Sequence, residues 1–433
     1  MLNRLDLRGV PATAPLGLPR PDLGGEAPVE EVRALIAEVR RRGDAALREL
    51  TQRFDGVEID EIAVPPDEPG RALDRLPDGL RQALTEAHDA IEAFHRHRGA
   101  PPGRIERGGI AVEQLEIPVE RVGCYVPGGR ARYPSTVLMT AVPARVAGVG
   151  SVACCVPPGP DGRLPDEVLA AAALAGVDEV FRVGGVQAIA ALAYGTETIR
   201  AVDVVCGPGS KWVSLAQAEV RGVVGVPASF AGPSEVVVVA DDSSPPTFAA
   251  IDVVVQAEHG PDGLAWLVTW SEELAGAVAK EVERLVERSP RREETRSTLE
   301  RGGYAVVVDS PEQAMRVANE IAPEHLELLL EDPAPLLRLV RHAGAVFLGP
   351  LSPASVGDYV AGPSHVLPTF ASARFASVLG VEDFVRRVHA VEVGRSGIER
   401  VAPHVAALAD AEGLAAHAES VRLRVGAPGW SAS

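Results

Sequence analysis

The sequence predicts an α/β protein: two parallel-sheet domains with helical extensions at both ends. Two observations lead there. From about Val112, short β-rich runs (VERVGCYVP, SVACCVP, EVFRV, AVDVVCGPG) alternate with Ala-rich helical stretches, and the alternation starts afresh at Glu235 with VVVVADD. Strands that alternate with helices in this way build βαβ units and hence parallel sheets.

Taken in chain order, residues 28 to 97 repeat apolar positions at three and four with charges between, as in VEEVRALIAEVRRRGDAALRELTQRF and GLRQALTEAHDAIEAFHRH. That is the spacing of amphipathic helices. His88, His95 and His97 sit among charges and read as part of a solvated helix face. This N-terminal helical region, residues 1–110, joins a first α/β domain at 111–233. The second α/β domain, 234–375, runs through AAIDVVVQAEHG, GLAWLVTW, YAVVVDS, LELLL and AVFLG. Residues 376–433 are expected to form a small helical domain, from the acidic-apolar pattern of HVAALADAEGLAAHAESVRLRV.

With 433 residues, 46% of them hydrophobic and 24% charged, the chain is long enough for more than one core. Its formal charge of −18 disfavours nucleic acid, whose phosphates call for clustered Lys and Arg. No apolar run approaches the roughly 18 residues of a membrane span. The N-terminal stretch has no secretory h-region of about 7 to 15 apolar residues, so a cytoplasmic address is expected. Cys124, Cys154, Cys155 and Cys206 show no CxxC spacing and are expected to be reduced, buried thiols.

Three glycine-bearing turns follow predicted strands: Pro127-Gly128-Gly129, Gly184-Gly185 and Gly207-Pro208-Gly209. A helix after such a turn offers its first amides to anionic groups such as pyrophosphate. None is GxGxxG, and GPGSK is not a Walker motif, so the two domains read as Rossmann-like but incomplete. The turns fit nucleotide contacts and ordinary strand-to-helix connections equally.

Two Glu-His dipeptides concentrate the chemistry. Gln256 and His259 are three apart in an apolar helical pattern, so both project from one face and can share a metal, while Glu258 points elsewhere. A core-bonded Gln256 and a His259 that caps the helix before Gly260-Pro261 fit the same pattern. Asp358 and His365 in the loop SPASVGDYVAGPSHVLPT add donors, as do Glu412 and His417, five apart in AEGLAAHAES. Gln, His, Asp and His together are unusual for a closed structural zinc and suit an open, substrate-binding metal. In Ala322-Pro323-Glu324-His325 the proline biases Ala322 away from helix, and adjacent residues on a turn diverge. His325 can then take a proton from an alcohol while Glu324 orients or deprotonates water. The other reading is a Glu stabilised by a helix dipole beside a satisfied His.

Together, GCYVPGG, PSTVLMTAVPARVAGV, VGGVQAIAALAYGTE, CGPG, AGPSEVVVVAD, QAEHGPD, APEHLEL, AGAVFLG, GDYVAGPSHVLPT and AHAESVRLR resemble the histidinol dehydrogenase family, from about residue 25 to the end. The resemblance implies oxidation of L-histidinol through L-histidinal to L-histidine with two NAD+ reduced, closing histidine biosynthesis, in a homodimer with shared active sites. It implies one Zn2+ per subunit, held by Gln256, His259, Asp358 and, from the neighbouring subunit, His417, with the ion gripping the substrate's imidazole and amino nitrogens. It puts the general base at His325 and the water-activating acid/base at Glu324. Substrate contacts are implied at Ser234, Gln256, His259, His325, Asp358, His365, Glu412 and His417, and NAD+ contacts at Tyr125, Gln187 and Ser210. The first α/β domain is then the NAD side, the second carries the metal and catalytic residues, and the C-terminal domain supplies the dimer contact.

Two positions depart from the family pattern. Ser210 replaces the usual Asn, exchanging an amide for one shorter hydroxyl, and Gln217 replaces the final Lys of GPGN-x-x-V-x-x-A-K. Two rival readings remain: a sister zinc- and NAD-dependent dehydrogenase of another small polar alcohol, and a zinc hydrolase with Glu324 as base. Glu412 and His365 suit a cationic, imidazole-bearing substrate, whereas an anionic one calls for Arg. The hydrolase would need no NAD.

Overall fold

The computed structural model describes residues 1–19, 28–97, 103–129, 131–227, 232, 234–258 and 263–426. They fall into two compact units, Met1–Arg96 with Glu120–Phe384, and His97–Val119 with Val385–Ser433. Among the described residues no helix is long and apolar enough to cross a membrane.

The chain opens with strand β1 (Asn3–Asp6), which a helical reading of the N-terminal region did not contain, and continues into helices α1 (Val29–Arg42), α2 (Asp44–Asp55), α3 (Glu68–Arg75) and α4 (Asp78–Arg96). Strands β2 (Arg104–Arg107) and β3 (Ile110–Pro118) follow and belong to the second unit. Back in the first unit, β4 (Arg121–Tyr125), β5 (Ser151–Val156), β6 (Glu179–Arg182) and β7 (Val204–Cys206) alternate with α5 (Pro134–Ala147), α6 (Asp166–Leu174), α7 (Gly185–Tyr194) and α8 (Lys211–Val220). They make a parallel sheet in the order β6-β5-β4-β7.

A second alternation runs β8 (Glu235–Ala240), α9 (Pro246–Ala257), β9 (Leu264–Thr269), α10 (Glu272–Arg288), α11 (Arg292–Gly302), β10 (Gly303–Val307), α12 (Pro311–Ile321) and β11 (His325–Leu329). It ends with α13 (Ala334–Leu337), β12 (Ala345–Leu348) and α14 (Ala354–Tyr359). These strands form a parallel sheet in the order β1-β10-β9-β8-β11-β12. All six residues of β8 are buried, as expected of a parallel strand covered on both faces. Val236 and Val238 pack with α9 and α10, while Val237 and Val239 pack with α12. Helix α10 shows why the flanking helices form where they do. The Ser271 hydroxyl accepts the Leu274 amide as an N-cap, and Leu274, Val278, Val282 and Val286 recur every four residues to give one buried stripe.

In the second unit, β13 (Val385–Val393) pairs antiparallel with β3 along its whole length, and β2 pairs with the other edge of β3. The C-terminal stretch is therefore not helical throughout: a nine-residue strand precedes α15 (Arg395–Ala411) and α16 (Ala415–Gly426). Within this unit the start of α15 lies on the β2–β3 turn so closely that a Cβ on Gly397 would stand 2.2 Å from the Gly109 carbonyl oxygen. Only glycine tolerates that approach. One further expectation is corrected: His95 is buried rather than solvated, its ring edge-on to Phe94. All four cysteines are buried and free, as expected.

Candidate active site

The Glu-His pair sits where a helix turns into a strand. Helix α12 ends at Ala322, which is buried and left-handed at φ 54 and ψ 60. Pro323 then forbids continuation, and β11 begins at His325. A buried non-glycine residue in the left-handed region costs about 1 to 2 kcal/mol, and strain of this kind persists where the surroundings over-determine it. Glu324 is fixed by its neighbour strand, because its Oε2 accepts the backbone N–H of Glu235, the first residue of β8, at 3.1 Å. Ser234 stands one residue before that donor, its carbonyl accepting from Leu264 at 3.0 Å.

His325 lies between two carboxylates. Its Nδ1 is 3.8 Å from Glu324 Oε2 and its Nε2 is 3.5 Å from Asp358 Oδ1, close for ion pairing and long for hydrogen bonds. Burial works against a charged imidazole here, but Glu324 and Asp358 outweigh it, and the His325 pKa is raised. Asp358 comes from α14, and its backbone carbonyl accepts from His365 Nδ1 at 3.1 Å. A carbonyl only accepts, so Nδ1 carries a proton and Nε2 of neutral His365 is left to accept from the Thr136 hydroxyl at 3.2 Å. Thr136 belongs to α5, whose Met139 carbonyl also accepts from Ser364 Oγ at 3.0 Å. The loop holding His365 is thus anchored on the first sheet's helix.

Gln256 lies near the C-terminal end of α9, and its amide nitrogen is buried with no hydrogen-bond partner. An amide's oxygen and nitrogen exchange places on a half-turn, so this side chain can present its oxygen to a cation. Asp358 supplies a carboxylate, and the two suit the expected donor set. Among the described residues no group of three or more His, Cys, Asp or Glu converges as a metal site. His259 lies outside the described residues. Glu412 and His417 belong to the second unit, at the exposed junction of α15 and α16.

A cleft of about 820 Å3 opens at the carboxyl ends of β4, β5, β6 and β7, lined by Tyr125, Pro127, Pro157, Gly185 and Ser210 among others. That end of a parallel α/β sheet is where ligands bind. Two of the three glycine turns line it, through Pro127, Gly128 and Gly129 and through Gly185. Gly207, at φ +112, brings its backbone so near Tyr125 that a Cβ would lie 2.1 Å from the Tyr125 carbonyl oxygen. The Gly185 amide donates to the Tyr125 hydroxyl at 3.2 Å, and burial pushes that phenol up to about 12. Gln187, one turn into α7, is buried with both amide atoms unpartnered. Ser210 occupies the N-cap of α8 without capping it through its side chain. Gln217 donates from Nε2 to the Gly207 carbonyl at 2.9 Å and so braces that turn.

The structure therefore brings Glu324, His325, Asp358 and His365 together, with Ser234 beside the residue that holds Glu324. It gathers Tyr125 and Ser210 on the cleft, with Gln187 buried two residues beyond the lining residue Gly185. Sequence reasoning missed Thr136. Its only signal is a pair of hydroxyls four apart, Thr136 and Thr140, both buried among the apolar residues of α5.

A family profile described as histidinol dehydrogenase matches residues 18–425. A histidinol dehydrogenase from a Synechococcus species is 52% identical over 397 residues, covering 91% of each chain. One from Methanothermobacter thermautotrophicus is 45% identical over 393 residues, covering 90% of this chain and 92% of the relative. The crystal structure of histidinol dehydrogenase from Elizabethkingia anophelis superposes with a TM-score of 0.90 at 34% identity, covering 94% of both chains.

Proposed function

Because the chain belongs to the histidinol dehydrogenase family of NAD-dependent oxidoreductases, we propose that it oxidises L-histidinol through L-histidinal to L-histidine, with Glu324 and His325 moving the protons. The observation that carries this reading is the row Glu324, His325, Asp358, in which a buried imidazole stands between two carboxylates. His325 accepts the hydroxyl proton of the alcohol in the first oxidation, its imidazolium stabilised by Glu324 and Asp358. Glu324, held in place by the Glu235 amide, takes a proton from the water that adds to the aldehyde, while the His325 imidazolium gives its proton to the aldehyde oxygen and is neutral again for the second oxidation. His325 then accepts the hydroxyl proton of the hydrated aldehyde in the second oxidation. His365, fixed in one tautomer by the Asp358 carbonyl, orients the substrate.

NAD+, which Tyr125, Gln187 and Ser210 would hold at the cleft, would supply the hydride acceptance in both steps. Zinc, held by Gln256, His259, Asp358 and His417 from a neighbouring subunit, would supply a fixed grip on the substrate's imidazole and amino nitrogens, and the orphaned Gln256 amide supports a ligand there. Residues 111–233 are then the NAD side and 234–375 the metal and catalytic side. A homodimer is part of the same reading, supported by the exposed apolar side chains Ile105, Val391, Leu408 and Leu423 of the second unit. A cytoplasmic address fits a biosynthetic reaction that draws on NAD+.

Product analysis with L-histidinol, NAD+ and zinc tests the proposal. The expected yield is two NADH per L-histidine with no histidinal released. One NADH per histidinol consumed, with free aldehyde, would remove the two-step assignment, and no NADH at all would favour the hydrolase.

A further inference from the structure

Two buried carboxyl groups, Asp252 and Glu327, have no part in the chemistry above. Asp252 lies on α9 one turn before Gln256, and Glu327 lies on β11 two residues after His325. Alternate residues of a strand share a face. Leu326 and Leu328 turn to the α12 side, so His325, Glu327 and Leu329 face α9, and Leu329 packs in the cluster that holds Val253 and Val254 of that helix. Across this face the Asp252 and Glu327 carboxyl groups come within hydrogen-bond reach of each other, and Glu327 Oε2 is buried with no donor to satisfy it.

A bond between them needs a proton, because ionised carboxylates only accept. Glu327 Oε1 accepts the backbone N–H of Ala354, the first residue of α14, at 2.8 Å, which leaves its other oxygen for Asp252. A neutral Glu327 satisfies both at once: the carbonyl oxygen takes the Ala354 amide and the hydroxyl donates to the Asp252 carboxylate. Burial, and then the charge of Asp252, push the Glu327 carboxyl well above the usual range, and burial raises that of Asp252. The pair reaches three elements of the site. Helix α9 carries Gln256, β11 carries His325, and α14, tethered at its first residue, carries Asp358 one turn later.

We propose that Asp252 and Glu327 share one proton and act as positioning residues that fix Gln256, His325 and Asp358 relative to one another. The proposal rests on the functional reading above for what those three residues do. In Glu327→Gln the amide oxygen still accepts from Ala354 and the amide nitrogen still donates to Asp252, and Asp252→Asn likewise keeps an acceptor for Glu327. Both variants are expected to keep kcat with L-histidinol, and zinc affinity measured by competition with a chromophoric chelator, within about threefold of wild type. Glu327→Ala strands the Asp252 carboxylate and the Ala354 amide, and is expected to lose kcat on the order of a hundredfold and to release zinc more readily.

Infrared spectroscopy at about pH 8, where an ordinary carboxyl is ionised, reads the proton itself. A neutral carboxylic acid band is expected in wild type and Asp252→Asn and lost in Glu327→Gln. Absence of the band in wild type overturns the proposal, and so does a Glu327→Gln enzyme that folds yet is as impaired as Glu327→Ala. Should Glu327→Ala fail to fold, the band and the two isosteric variants decide. A wild-type protein that does not oxidise L-histidinol would sink the functional reading, while the band and the zinc competition would still judge the pair.

Discussion

At the scale of single residues, the proposed mechanism divides the reaction between two adjacent side chains, Glu324 and His325. His325 leads β11 with a carboxylate near each ring nitrogen, whereas Glu324 precedes the strand with one oxygen committed to the Glu235 amide. The proposal accordingly makes the imidazole the proton acceptor for both oxidations and the carboxylate the group for the single step that consumes water. Glu324→Gln keeps an oxygen for the Glu235 amide but cannot take a proton. Oxidation of L-histidinal should therefore slow by about a hundredfold or more, the lower end of what general-base catalysis contributes, with a much smaller effect on L-histidinol oxidation. Single-turnover NADH formation from each substrate separates the two steps, and equal losses would contradict this division.

At the scale of elements, what the sequence revealed and hid follows from burial. Parallel strands covered on both faces read as unbroken apolar runs, so Glu235–Ala240 and Leu264–Thr269 are legible from the letters alone. Strand β13 is not. Val385, Val388 and Val391 stand three apart, which mimics a helix, and only pairing with β3, far away in sequence, makes the segment extended. The four-residue β1 is legible only once β10 is beside it. Proline before Glu324 signals the turn, yet nothing in the letters tells that Ala322 is left-handed, that Thr136 meets His365, or that Asp252 meets Glu327. Those are tertiary contacts between distant segments. The strain at Ala322 predicts an inversion of the usual glycine rule. Ala322→Gly should be neutral or stabilise by up to about 1 kcal/mol, while Ala318→Gly one turn earlier in α12 should destabilise by about 1 kcal/mol or more. Urea unfolding of the two variants checks it, and a loss at 322 as large as at 318 would contradict the strain. Helix α4 makes an acid-stability prediction of its own. Burial lowers the His95 pKa against a weaker opposing effect of Glu382. The unfolded chain then binds more protons below the ordinary imidazole range, and the contribution of His95 to stability is lost as pH falls through about 6.5 and below. His95→Gln should therefore lose less stability than wild type between about pH 7 and pH 5; denaturation midpoints at both pH values measure the difference, and equal losses would show that His95 does not titrate on unfolding.

At the scale of the whole molecule, the proposed site draws on residues that the chain keeps in separate units. Glu324, His325, Asp358 and His365 belong to the first, and Glu412 and His417 to the second. If His417 serves a neighbouring subunit, two differently damaged proteins can repair each other. A His417→Ala subunit has intact catalytic residues but lends no imidazole, and a His325→Asn subunit lends His417 but cannot take the proton. In a mixed dimer one site then unites the sound halves of both chains, and the other site collects both lesions. Random reassortment makes half the dimers mixed, each with one working site of two, so the mixture should regain about a quarter of wild-type activity although each variant alone is inactive. Were His417 to serve its own chain, every site in every dimer would keep one lesion and mixing would restore nothing. Reversible dissociation of the two purified variants, remixing and an NADH assay distinguish the cases, and a remixed wild-type control shows that subunits have exchanged without loss.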